Sequence, residues 1–432
     1  IMRKHTQTSP MDPVWQDIYS FFATNTQWEN RLRLLRKGFV TSIKEEQLSP
    51  KTTKQLFGEK IFSSVSHLER FASCPFSYFA EYGLKATERE LYQLHTPDLG
   101  LLFHEVLEIF STKIQTEHIQ WSDLTQEKTK EFIDEAVEMA SPKIGNQILL
   151  DTAANQYLIH RLKRISNRAA WTLVQHLKNG DFVPQGYEIG FGLHEALPPI
   201  VIDLAAGNQL VLSGKIDRVD LLDTHGNRYA KVIDYKSGSK AFNFQDVYYG
   251  LQLQLLIYLD AYLKHYEKSD KPVKPGGVFY FRITDPNISL NKEMTPQEIE
   301  ESLYQKMQMT GLLLENDAVI QGIDHVFVDE LKGKTSSIVP VGYTKKGEAS
   351  STAFLADETQ YEKLLSFVVN QAADLGNSIQ KGLIAPSPYR KNDQSPCSYC
   401  RFKPICRNTY DDQPQWRDLK KVTKKDFWDL IE

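Results

Sequence analysis

The stretches LVLSGKIDRVDLL (210–222) and KVIDYKSG (231–238) read as apolar strands, yet each carries charges where a strand meets a core. Side chains alternate along an extended segment. In the first stretch Val211, Ser213, Lys215, Asp217, Val219 and Leu221 share a face, while Arg218 and Asp220 share the other. Asp217 is thus on the more apolar face, and Asp220 is expected to meet solvent. In the second, Val232, Asp234 and Lys236 leave one side and Lys231, Ile233 and Tyr235 the other. The residues between Asp223 and Asn227 include His-Gly-Asn and suit a hairpin turn. If both apolar faces meet one core, Asp217, Asp234 and Lys236 converge at one rim of a sheet.

Two carboxylates without a neutralising arginine suit a hard, oxygen-preferring cation such as Mg²⁺ or Mn²⁺. Such an ion polarises a phosphoryl oxygen and acidifies a bound water, and a nearby lysine orients that water or offsets transition-state charge. A bare Asp-x-Lys is more often a structural ion pair in a hairpin, so the surroundings have to decide.

The surrounding pattern is helix, three strands (185–222 and 229–237), helix (245–266) and strand (276–283), an α/β core with helical additions. Further helices are expected over 12–37, from an N-cap at Ser64, over 99–114, 126–142, 152–179, 296–315 and 358–382. Residues 42–60 read as linker and 330–354 as irregular. Gly250, Gln254 and Tyr258 fall on one i, i+4 row of the 245–266 helix. His104 lies on the apolar face of the 99–114 helix, where a hydrogen-bonded core histidine is the alternative to a ligand. Glu188, in FVPQGYEIGF, is a further strand carboxylate that by itself reads as an edge-strand surface charge. The GKT at 333–335 is not a phosphate loop, because Val328 stands where that motif requires glycine.

Taken in order, GxxxHxxLE from Gly100, GxxDRVD from Gly214, DYKSG from Asp234 and QLQLLIY ending at Tyr258 resemble the RecB-type nucleases of the PD-(D/E)XK superfamily. The resemblance implies a restriction-endonuclease-like α/β fold with a mixed sheet. It implies that His104, Asp217, Asp234 and the backbone carbonyl of Tyr235 bind Mg²⁺ (or Mn²⁺). Lys236 would serve catalysis, and Gln254 and Tyr258 would support the site or line the path of the DNA.

Four cysteines without a secretory signal suggest a reducing compartment, where thiols more often hold metal than pair. Cys397, Cys400 and Cys406 form C-x2-C-x5-C, and the remaining cysteine, Cys74, precedes the nuclease-like segment. Four thiolates suit Zn²⁺ or an iron–sulfur cluster, and spacing does not separate them. Arg401, Lys403 and Arg407 stand nearby, as cations that would offset a cluster's charge or touch DNA. One cysteine before the core and three after it is similar to the [4Fe–4S] staple of the AddB-type nucleases. SSVSHLERFASCPFSYFAEYGLKATERE (63–90), GGVFYFRITDP (276–286) and GLLLENDAVI (311–320) resemble the same family. That resemblance implies a metal-dependent exonuclease acting on single strands, the 5′-ended one by family, at unwound double-strand-break ends. It also implies the AddA helicase–nuclease subunit as heterodimer partner.

On this reading residues 1–60 are the helical end of a preceding domain plus a linker, 61–410 the nuclease domain and 411–432 a tail, in which 416–428 reads as a solvated basic helix. The chain opens on Ile1 and reads as part of a longer protein. Its net charge of −4 does not attract polyanions overall, so DNA binding must rest on a local basic surface or on metal. No apolar run is long enough for a membrane span, and a bacterial cytoplasmic setting is expected. Two other readings remain at this point: a non-catalytic DNA-end clamp, and a standalone RecB-like nuclease.

Overall fold

The computed structural model describes residues 13–40, 47–87, 96–143, 149, 152–288, 294–406, 408 and 415–431. Residues 1–12, 42–46, 88–90, Arg407 and 411–414, on which some expectations fall, lie outside the described residues.

Two helices open the described chain, α1 (Pro13–Thr24) and α2 (Glu29–Val40), where one was expected. Asn25 to Trp28 form the turn between them. The stretch taken for a linker contains α3 (Pro50–Phe57), begun by the Ser49 side chain and a proline in the first turn and closed by Gly58 at φ 75. Strand β1 (Lys60–Ser64) leads into α4 (Val65–Ser73), and the Ser64 side chain caps α4 as expected. Cys74 ends α4 in an extended conformation. Helices α5 (Thr96–Thr116), α6 (Gln126–Ala140) and α7 (Ala153–Lys178) pack on one another.

The sheet follows. Strands β2 (Val183–Phe191), β3 (Ile200–Asp203), β4 (Gln209–Thr224), β5 (Asn227–Lys236), β6 (Val273–Arg282), β7 (Thr310–Leu314) and β8 (Leu355–Ala356) join β1 in one mixed sheet. Strand β4 is its spine. Its first half pairs with β1 in parallel and with β3, and its second half pairs antiparallel with β2 and β5. The β4–β5 turn places His225 and Gly226 at positive φ, between the paired Thr224 and Asn227. Both residues in the left-handed region match the right-handed strand twist, which selects this tight hairpin. Strand β5 then runs parallel to β6, the crossover being α8 (Phe244–Tyr248) and α9 (Gln254–Tyr266).

The single 245–266 helix is thus two helices. Gly250 adopts φ 73, which breaks the α-helical path, and Gln254 opens α9. Gly250 does not share a helical row with Gln254 and Tyr258. The expected 296–315 helix also divides, into α10 (Pro296–Lys306) and β7. Gly311-Leu-Leu-Leu is too apolar for a surface helix end and pairs with the middle of β6, fully buried. The irregular stretch before β8 is tied down by Ser336, whose hydroxyl donates to buried Asp324 at 2.7 Å. Helix α11 (Glu358–Gln380) matches expectation.

Both faces of β4 and β5 are covered beyond residue 216, which overturns the expectation that Asp220 meets solvent. Asp220 is wholly buried, accepts two hydrogen bonds from Arg218 at 2.6 and 2.9 Å, and pairs with buried Lys231 at 3.1 Å. The tail is not a solvated helix either. In α12 (Lys424–Leu430), Phe427 is fully buried and packs on Phe244 and Phe367.

Candidate active site

Val219 lies opposite Val232 and Asp220 opposite Lys231. Continued two steps beyond Val219, this register sets Asp217 beside Asp234. Asp217 Oδ2 accepts a hydrogen bond from the backbone N–H of Tyr235 at 2.7 Å, which pins the carboxylate to β5. Asp234 is 1% exposed. The Lys236 ammonium forms an ion pair with it, yet neither of its oxygens accepts an aligned hydrogen bond. Burial, then the charge of Asp217, push its pKa up to about 7, while Lys236 acts the other way.

His104 arrives from α5. Any side chain at Gly100 would crowd the Ser237 hydroxyl at 3.2 Å, so glycine allows the helix to pass close to the end of β5. One turn later His104 Nε2 meets the Tyr235 carbonyl at 3.0 Å. That carbonyl, expected to face a metal, therefore accepts from the histidine. Nδ1 lies 3.4 Å from Asp217 Oδ2 and 3.8 Å from Glu188 Oε1. Burial disfavours a charged ring here, but Asp217 and Glu188 outweigh it and raise the His104 pKa to about 10.

Sequence reasoning undervalued Glu188. It is not a surface charge but lies within the site, with its side chain 12% exposed and bridged to Lys215 at 3.0 Å. The β2–β4 register brackets it, since Tyr187 faces Arg218 and Ile189 faces Ile216, leaving Glu188 abreast of Asp217. Its backbone holds φ 48, an unusual and strained value for a non-glycine in a strand. His104, Glu188 and Asp217 each offer a ligand atom within 4.8 Å of the others, an arrangement able to hold a cation.

On the other side of Lys236, its amine lies 3.4 Å from Gln254 Oε1, and Gln254 Nε2 donates to the Tyr258 hydroxyl at 2.9 Å. Tyr258 is buried against Phe191 and so does not line a strand path; it holds Gln254. Gly214 makes room for both rings, because a Cβ there would lie 2.8 Å from Phe191 and 3.3 Å from Tyr258.

The four cysteines are free thiols that line one cavity, together with Arg70, Phe76 and Asn408. Cys74 is buried and the C-terminal three are half-buried. Arg401 is not directed at them: it pairs with Glu81 at 2.6 Å, as does Arg70 at 3.1 Å. Among the described residues no helix is long and apolar enough to cross a membrane.

A mixed sheet carrying Asp217 in the middle of β4 and Asp234 and Lys236 at the end of the adjoining β5, with His104 supplied by α5, belongs to a nuclease fold. Residues 63–407 match the PD-(D/E)XK nuclease superfamily model, and the chain is a member of that superfamily. Within it the likeness is to AddB: residues 1–38 match the fifth domain of the ATP-dependent helicase/deoxyribonuclease AddB. Over its full length the chain is 40% identical to an ATP-dependent helicase/deoxyribonuclease subunit of Alkaliphilus oremlandii, covering 37% of that protein. It is also 40% identical to the like-named protein of Alkaliphilus metalliredigens and 34% identical to that of Caldanaerobacter subterraneus, again over the whole chain and 37% of each relative. The chain thus spans well under half the length of these relatives, and the AddB resemblance read from its motifs is borne out.

Proposed function

We propose that this chain is the nuclease part of a helicase–nuclease, hydrolysing phosphodiester bonds of single DNA strands at unwound double-strand-break ends during recombinational repair. The observation that carries the reading is Asp234, buried with no aligned hydrogen bond to either oxygen and ion-paired with Lys236, next to a His104–Glu188–Asp217 group whose ligand atoms lie within 4.8 Å of one another. A buried carboxylate in that state fits a divalent cation better than a structural ion pair, which would saturate both oxygens.

Asp217, Asp234 and His104 would hold Mg²⁺ or Mn²⁺, with Glu188 as a further carboxylate, while the Tyr235 carbonyl orients the histidine by accepting from its Nε2. Such an ion, when bound, polarises the phosphoryl oxygen and lowers the pKa of water. Lys236 orients the attacking water and offsets charge that builds on the phosphate. The water gives up a proton to solvent as its oxygen bonds to phosphorus, the ester P–O bond breaks, and the leaving oxygen takes up a proton from solvent in return. Gln254 and Tyr258 keep the lysine amine in place.

Cys74, Cys397, Cys400 and Cys406 would hold a [4Fe–4S] cluster, or Zn²⁺. Four unpaired thiols lining one cavity, drawn from segments far apart in sequence, support a staple. Residues 61–410 would then form one nuclease domain, preceded by the end of another domain and followed by a tail that packs back on it. From the AddB likeness we also infer a cytoplasmic heterodimer with AddA and attack on the 5′-ended strand. The reading is tested by cleavage of single-stranded DNA with Mg²⁺, comparing wild type with Asp234→Ala, alongside an iron assay. Metal-dependent cleavage lost in the variant is expected; equal cleavage by both would overturn the site.

A further inference from the structure

Helix α9 begins without a cap of its own. The residue before it is Leu253, whose side chain cannot accept from the first exposed N–H groups. The acceptor comes from far away in sequence. Glu69 Oε1 on α4 receives the backbone N–H of Leu253 at 2.8 Å and that of Gln254 at 3.0 Å. Its other oxygen receives the Lys240 ammonium at 3.1 Å, and the side chain is only 13% exposed.

The residue held in this way is Gln254, whose side chain meets the Lys236 amine. Lys236 and Lys240 also lie over the same Tyr280 ring, at 5.8 and 5.4 Å from its centre. At its other end α4 runs into Cys74, and the Arg417 guanidinium holds the carbonyls of Ala72 and Ser73 there. One short helix thus joins the cysteine cavity to the edge that carries the lysine.

We propose that Glu69 is a positioning residue of the nuclease site. It fixes the start of α9 so that Gln254 holds the Lys236 amine, and it anchors that start to the helix leading to Cys74. The inference rests on the nuclease reading. The amine must sit within a few tenths of an ångström of its working position, so loosening the residue beside it acts on turnover more than on binding.

Two mild substitutions in the complete protein separate the possible roles. Glu69→Gln keeps an oxygen for the two N–H groups but loses the charge facing Lys240. Glu69→Asp keeps the charge but withdraws the oxygens by one methylene. Single-stranded DNA cleavage with Mg²⁺ is expected to show kcat reduced about 10-fold or more in Glu69→Asp, as for other groups that orient a site's direct ligands. KM should change little, and Glu69→Gln should stay within about 3-fold of wild type. The amide protons of Leu253 and Gln254 should exchange faster in Glu69→Asp and not in Glu69→Gln. The reverse order of the two variants, or wild-type kcat in both, would overturn the proposal. Amide exchange reads the cap without any cleavage. An inactive wild type would therefore overturn the nuclease reading, while faster exchange in Glu69→Asp would still support the cap.

Discussion

His104 Nε2 lies 3.0 Å from the carbonyl oxygen of Tyr235. A carbonyl only accepts, so Nε2 carries the hydrogen, and Nδ1 is the nitrogen turned toward Asp217 and Glu188. A cation held by this group would use Nδ1. His104→Ala is expected to weaken Mn²⁺ binding by about 10–100-fold, the range for disturbed metal sites. Calorimetric titration with Mn²⁺ measures it, and unchanged affinity would remove His104 from the site.

Glu188 adopts a left-handed backbone that a side chain disfavours by about 1–2 kcal/mol. Glycine removes that strain along with the carboxylate. Glu188→Gly is therefore expected to bind Mn²⁺ more weakly without a lower melting temperature, the pattern of a residue retained for function at the expense of stability. A clear drop in melting temperature with metal binding intact would assign Glu188 a structural role.

His176 is buried, with neither ring nitrogen hydrogen-bonded, edge-on to Phe281 and Tyr304. Burial, then the charges of Lys231 and Arg218, push its pKa from the ordinary 6.5 down to about 3. The folded protein therefore refuses a proton that the unfolded chain accepts. The stability this represents is whole above pH 6.5 and is lost as pH falls toward 3, on the order of 5 kcal/mol in all. His176→Phe should flatten that part of a stability–pH curve from urea unfolding. An unchanged acid limb would place the proton elsewhere.

Asp220 neutralises two buried cations at once. Asp220→Ala leaves Arg218 and Lys231 without a counter-charge, and removing one member of a buried ion pair costs about 3–5 kcal/mol. Urea unfolding should register a loss of that size, with Asp220→Asn intermediate. A loss below about 1 kcal/mol would mean that water reaches the trio.

Cys74 bears on the staple. If it ligates a cluster with Cys397, Cys400 and Cys406, Cys74→Ala should cost both iron and stability, because cross-linking distant segments restrains the unfolded chain most. Brown protein with iron in proportion to the chain is the expected signature of iron–sulfur ligation. Colourless protein with stoichiometric zinc would favour the other metal, and an unchanged melting temperature in the variant would argue against any staple.

The site's strands were legible because alternation along 217–221 and 232–236 is a local property, and the His-Gly turn joining them is dictated by backbone sterics. The α4 cap at Ser64 was legible for the same reason. The division of the 245–266 and 296–315 stretches was not, since a helical apolar pattern does not reveal where a glycine turns left-handed or where a sheet recruits a strand.

Asp220, Glu188 and Glu69 mark the other boundary. Asp220 and Glu188 read as surface charges and Glu69 drew no reading at all, yet each is held by a partner that no local pattern names: Lys231 across a ladder, His104 from a helix, the N–H groups of Leu253 and Gln254 from a distant segment. Order along the chain was enough to propose which residues carry the chemistry, because motifs shared with the nuclease family and the strand period that sets Asp234 and Lys236 on one face are both local. Which carboxylates lie buried beside them, and what holds the lysine in place, depended on how helices cover the sheet. Covering the sheet decides dielectric and hydrogen-bond supply, and these are set by contacts between segments far apart in sequence.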